Sequence, residues 1–209
     1  MKSSIFSFVM AGCFLFATPC EADQTDEPPQ KLVLQIGGQQ VEFVPGEEIR
    51  LTGHYSNPTA RLLASPTRHF SYGGICFEYP AGFSWEADAE DDSYRSWTMS
   101  GNECVIIYLT FADRITPATF AASLREQYGP SNTEIESINR SLGSMVLPGK
   151  RVIANIAGTR IVQDVLDVPA ASGHSRLLVL QDMTESNAGG RNESKSALEL
   201  LSKSFRVTD

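Results

Sequence analysis

Apolar and polar residues alternate with a period of two along most of this chain, the signature of half-buried strands. Between residues 31 and 44, Leu32, Leu34 and Ile36 share one face, and Val41 and Phe43 answer them beyond Gly37-Gly38. A glycine pair accepts the positive φ angles of a tight turn, so this stretch predicts a β-hairpin. Residues 53–67 hold Pro58 and Pro66 among small polar residues and read as a linker with a short extended piece at 61–64. From residue 68 the pattern becomes denser. Residues 69–80 read as a strand in which Ile75, Phe77 and Tyr79 oppose Cys76 and Glu78. Pro80 and Gly82 stop it, because proline cannot continue a ladder. Residues 93–112 predict a second hairpin turning at Ser100-Gly101-Asn102-Glu103. Its second strand is apolar on both faces, with Val105, Ile107, Leu109 and Phe111 on one and Ile106 and Tyr108 on the other. A strand covered on both sides lies inside a sheet.

The period changes at Thr116, which is placed to cap a helix whose first turn accepts Pro117 and which Gly129 ends. Phe120, Leu124 and Tyr128 recur one turn apart and predict a face packed on the sheet. Residues 133–142 fit either a short helix or a strand. Residues 150–168 read as two strands about Gly158-Thr159, and a further strand follows the loop from Pro169 to His174. Residues 186–195 read as a flexible loop. A closing helix is expected from Ser196, with Ser196 and Glu199 at capping-box spacing and Leu198, Leu201 and Phe205 as its stripe. Strands, helix, strands, helix, joined as antiparallel hairpins, predict an α+β domain with helices packed on a sheet.

Two short motifs add a resemblance. The aromatic-Glu-Tyr-Pro-x-Gly-aromatic turn from Phe77 to Phe83, and the final "LELLSKSFRV" with its Ser204-Phe205 pair, resemble the PsbP-like family. That family includes the extrinsic subunit of photosystem II and the bacterial periplasmic DcrB-like proteins. The resemblance covers about residues 68–209. It implies a central antiparallel sheet with helices packed on its faces, an α/β/α sandwich, with the hairpin of residues 31–44 outside it. It also implies a binding or assembly role rather than a reaction, and a fold alone does not fix a function.

Composition narrows the setting. The chain has 209 residues and a net charge of -8, which suits one domain plus a leader. Lys2, the apolar run from Ile5 to Ala17 and the small residues before Ala22 predict a signal peptide over 1–22, with a lipid-bearing Cys13 or Cys20 as the alternative. The expected organisation is that leader, then a segment of 23–67 comprising a disordered start, the hairpin and the linker, then a domain over 68–209. Such a chain is secreted or periplasmic, with no transmembrane segment once the leader is cut. An acidic surface without basic runs argues against nucleic acid. Of the four cysteines, Cys76 and Cys104 remain after cleavage, and an oxidising compartment predicts a disulfide between them.

Candidate chemistry is sparse. His54, His69 and His174 have no metal-ligand spacing, and no Gly-x-Ser-x-Gly or Ser-x-x-Lys motif occurs. Gly37-Gly38 and Gly73-Gly74 lack the lysine and helix of a phosphate loop. One cluster stands out: Glu86, Asp88, Glu90, Asp91 and Asp92, flanked by Trp85, Tyr94 and Trp97. Hard cations such as calcium take carboxylate oxygens, but the spacing is not that of a calcium loop, and the plainer reading is a solvated acidic bulge between strands. Asn139 and Asn192 head glycan-acceptor triplets that matter only in a eukaryote. The sequence therefore reads as an exported, non-catalytic binding or assembly domain without a cofactor, its partner another protein or a cell-envelope component. The alternatives are a hydrolase with a site around His69 or His174, and a calcium-dependent surface protein using residues 86–92.

Overall fold

The computed structural model describes residues 25–91, 93–170, 174–183 and 191–208. The expected leader, with Cys13 and Cys20, lies outside the described residues. In chain order the elements are β1 (Leu32–Ile36), β2 (Gln39–Phe43), β3 (Ala60–Ala64), β4 (Thr67–Tyr72), β5 (Ile75–Pro80), β6 (Ser84–Asp91), β7 (Tyr94–Ser100) and β8 (Cys104–Phe111). Then come α1 (Pro117–Tyr128), β9 (Thr133–Leu142), β10 (Met145–Ile156), β11 (Thr159–Val168), β12 (Ser175–Asp182), α2 (Arg191–Ser204) and β13 (Arg206–Val207).

This architecture corrects the α+β expectation. Strands make up 54% of the described residues and helices 16%, and the strands form three antiparallel sheets. A seven-stranded sheet runs β6-β7-β8-β12-β11-β10-β9, and two three-stranded sheets run β2-β1-β3 and β13-β5-β4. The α/β/α sandwich is overturned, because much of the cover on one face comes from a second sheet rather than from helices. The physical reason lies in Gly73-Gly74. With φ of 58° and 78° they make a two-residue turn that pairs Tyr72 with Ile75, so the single strand expected at 69–80 is a hairpin.

Local signals behaved as the physics requires elsewhere. Gly37-Gly38 turns β1 into β2, with Ile36 opposite Gln39. The linker piece at 61–64 becomes β3, paired to the free side of β1. Thr116 caps α1 by accepting from the Thr119 N–H at 3.1 Å, and Gly129 ends the helix at φ 91°. β8 lies between β7 and β12, inside the sheet as its two apolar faces demand. Residues 133–142 are strand throughout. Of the loop expected at 186–195, residues 186–190 lie outside the described residues and 191–195 belong to α2, so Ser196 falls inside the helix rather than at its cap.

Each face of the large sheet carries its own core. On one, α1 places Ala121 and Leu124 over Val152, Val165, Leu177 and Val179. On the other, the β4–β5 hairpin and α2 enclose Phe70, Phe77, Tyr79, Trp97, Tyr108 and Leu201, all fully buried. Phe70 stacks on Phe77 with ring centroids 4.7 Å apart, and Trp97 stacks on Tyr108 at 5.5 Å. The Tyr108 hydroxyl donates to the Gly73 carbonyl at 2.7 Å, pinning the hairpin turn to the sheet. A Cβ on Gly73 would sit 2.8 Å from that ring, so the turn is glycine for closeness as well as for φ.

Residues 25–30, expected to be disordered, lie as a strap across β4 and β6. Trp85 Nε1 donates to the Thr25 carbonyl at 3.0 Å, the Tyr72 hydroxyl to the Asp26 carbonyl at 2.8 Å, and Arg68 Nη1 to the Pro28 carbonyl at 2.7 Å. Pro28 is buried beneath them.

Candidate functional site

Side chains two apart on a strand share a face, and strand register decides which charges meet across it. On β11 the face that carries Leu166 toward the aromatic core also carries Arg160, Val162 and Asp164. Register sets Asp164 opposite Arg151 of β10, and Arg151 opposite Glu136 of β9. Asp164 is buried. It accepts from Arg151 Nε at 2.6 Å and Nη2 at 3.0 Å, and a third donor, Arg140 Nη2 of β9, closes on the same carboxylate. Glu136 stands 3.5 Å from Arg151 Nη1. The Asp164 hydrogen bonds hold the Arg151 guanidinium still more firmly protonated than usual. Two-pronged arginine–carboxylate contact fixes the guanidinium plane, so this pair of arginines is held in place before any ligand arrives.

These groups line a cavity of about 340 Å³ between the sheet and α2. Ile153, Val162, Leu180 and Leu198 supply its apolar wall. Ser194 of α2 donates to Asp182 Oδ1 at 3.3 Å, and Asp182 faces Cys104 across the β8–β12 ladder. The Cys104 thiol is pushed up to about 12, first by burial and then by the charges of Asp182 and Glu193, against a hydrogen bond with Ser194 that acts the other way. A thiol so placed stays protonated and is no nucleophile. Arg160, exposed at the cavity mouth, has no hydrogen bond or ion pair among the described residues. The cavity opens into a wider groove along α2 that adds Lys195 and Lys203.

The residues singled out from sequence lie elsewhere. Glu86, Asp88 and Glu90 are on the solvent face of β6, the outer strand of the large sheet, while Trp85, Ala87 and Ala89 turn inward. The expected bulge between strands is thus a strand itself, with a register shift only between Asp88 and Asp91. Outward carboxylates on an edge strand discourage pairing with another chain. Asp91 accepts from the Ser93 N–H, which holds its carboxyl below the usual range, and Asp92 lies outside the described residues. No group of side chains that could hold a metal ion occurs among the described residues.

The three histidines stay apart. His69 is exposed on β4 opposite Glu78, and His54 lies between β2 and β3. Desolvation, then Lys31, pushes the His69 imidazole below its ordinary pKa, and Glu78 opposes them. His174 shares a cavity of about 440 Å³ with Asp167 and Ser175 near the start of α1. The Ser175 hydroxyl accepts from the Ile115 N–H at 2.8 Å, and among the described residues no hydrogen bond joins His174 to Ser175 or Asp167.

The expected Cys76–Cys104 bridge is not made: both are free thiols. It needed β5 and β8 as neighbours, but they belong to different sheets. Cys76 also points away from the face that carries Ile75, Phe77 and Tyr79 into the core, whereas Cys104 lies within that core.

Compared with known proteins, the chain matches no family model and no curated protein. No helix among the described residues is long and apolar enough to cross a membrane.

Proposed function

We propose that this protein is an exported, non-catalytic binding domain whose cavity under α2 takes a small anion with an apolar body. One observation carries the reading: Arg160 has no hydrogen bond or ion pair among the described residues, at the mouth of a cavity whose other two arginines are already locked by Asp164. A bare guanidinium is a receptor for carboxylate or phosphate. The leucine and valine wall behind it favours a ligand that also buries hydrocarbon, and the volume lies at the small end of ordinary ligand sites, roughly 300–1,000 Å³. A ligand of the native state raises the melting temperature. Octanoate and inorganic phosphate are each added to the full-length protein and to Arg160→Gln. Octanoate is expected to raise Tm of the unmodified protein by several degrees and phosphate by less, with neither effect in R160Q. Equal shifts in both proteins, or none in either, would sink the proposal. The resemblance of residues 77–83 and 204–205 to PsbP-like proteins agrees with a binding role and supplies no ligand.

A further inference from the structure

We infer that the groove formed by Arg68, Tyr72, Tyr79 and Trp85 is a recognition site for an extended, proline-containing acidic segment of a partner protein, and that residues 25–30 are its tethered occupant. The chemistry of the strap's attachment points there. Three donors on the groove side are side chains (Trp85 Nε1, Tyr72 hydroxyl, Arg68 Nη1), and they reach backbone carbonyls of the strap, those of Thr25, Asp26 and Pro28. Indole N–H and phenol O–H groups aimed at successive carbonyls over an aromatic floor are how grooves read extended proline-bearing peptides. The strap has the matching sequence. In Asp26-Glu27-Pro28-Pro29, each proline fixes its own φ and confines the residue before it to extended geometry. Pro28 is the buried contact, and Glu27 meets Arg68 Nη1 at 3.0 Å. The floor is aromatic: Tyr72 and Tyr79 lie with ring centroids 5.9 and 6.4 Å from Trp85.

The strap fills this groove incompletely. Two buried donors, the Tyr79 hydroxyl and Arg68 Nε, have no hydrogen-bond partner among the described residues. Tyr79 is fully buried, opposite Arg68 in the β4–β5 register. Buried donors in native structures are nearly always paired, so these two mark acceptors that the tether does not supply. A partner segment with the same acidic–proline–proline core and one further acceptor satisfies them, and displaces a strap whose advantage is only its covalent attachment, worth an effective concentration on the order of millimolar.

The test uses full-length protein and the peptide TDEPPQK, the sequence of residues 25–31. Pro28→Gly removes the buried ring and loosens the tether. Peptide titrated into P28G is expected to shift the Trp85 indole N–H resonance saturably, with a Kd at least tenfold tighter than in the unmodified protein. Calorimetry on P28G that also carries Trp85→Phe is expected to give no binding heat. Should P28G fail to fold, Glu27→Gln removes only the half-exposed ion pair, and a several-fold gain in affinity is expected from it. A Trp85 resonance unmoved by millimolar peptide in the loosened variants, or equal binding after W85F, would overturn the inference. Concentration-dependent dimerisation of P28G that peptide does not compete away would overturn the partner and make a second copy the occupant.

Discussion

One face of the seven-stranded sheet is divided into two unlike halves. Over β7 and β8 it is aromatic, with Trp97, Tyr108, Phe70 and Phe77 in ring contact. Over β9, β10 and β11 the same face carries three arginines and Asp164 around open volume. α2 covers both, with Leu201 in the first and Ser194 and Leu198 at the second. The aromatic half is filled by its own side chains. The ionic half spends its side chains on holding one another and leaves a cavity. Packing is therefore complete in the aromatic half and leaves open volume in the ionic half.

The division is open to attack from both sides. Trp97→Ala should be the costliest change, losing about 3–5 kcal/mol through lost burial and the cavity left behind, measured as a fall in denaturation midpoint at unchanged slope. A loss below about 1 kcal/mol would mean that the aromatic half is not the cohesive one. Asp164→Asn should cost less, about 2–3 kcal/mol, because its arginine partners keep 26% and 32% of their side-chain exposure and water takes up part of the stranded charge. If D164N is neutral, the clamp is not needed for stability and the cavity's geometry has to be held by something else.

The third and smallest effect lies on the seam. Cys104 belongs to the aromatic cluster yet also lines the cavity. Its thiol titrates near 9.0 in the open chain and is held up to about 12 in the folded one. A group with a raised folded pKa contributes its stability fully at low pH, and that contribution is lost as pH rises from about 9 toward about 12. Between pH 9 and 10, before tyrosines join, stability should fall in the unmodified protein and fall less in Cys104→Ala. Parallel pH profiles would show that the seam is wet and Cys104 exposed. Native protein at pH 8 should also resist alkylation at Cys104, whereas after denaturation without reductant both Cys76 and Cys104 should react. Failure of both to react in the denatured chain would restore the bridge.

What the sequence made readable was local. Thr116-Pro117 and Gly129 bound α1 because capping and φ are properties of neighbours along the chain. Gly37-Gly38 turned where expected for the same reason. β6 was missed although its alternation of Trp85, Ala87 and Ala89 with Glu86, Asp88 and Glu90 is plainly period two, because the density of carboxylate obscured the pattern. The arginine cavity was not visible at all. Arg140, Arg151 and Asp164 meet only through the register of three strands, and register is set by the whole sheet. One signal could have flagged it: Arg160 and Asp164 occupy positions on β11 that, two residues further on, carry the buried Leu166. The bridge failed as an inference for a related reason, since a cysteine count says nothing of which sheet each strand joins.

The pairing of β13 with β5 sets a long loop to close. β13 supplies the second neighbour of β5, Phe205 is almost wholly buried, and the Glu78 N–H finds its acceptor in the Ser204 hydroxyl at 2.8 Å, 126 positions further along the chain. Residues 75–80 are thus finished by residues 204–207. Closing that loop costs entropy before its contacts compensate, and non-local pairings of this kind slow folding. Until it closes, β5 has a strand on one side alone, and the aromatic core lacks Phe205.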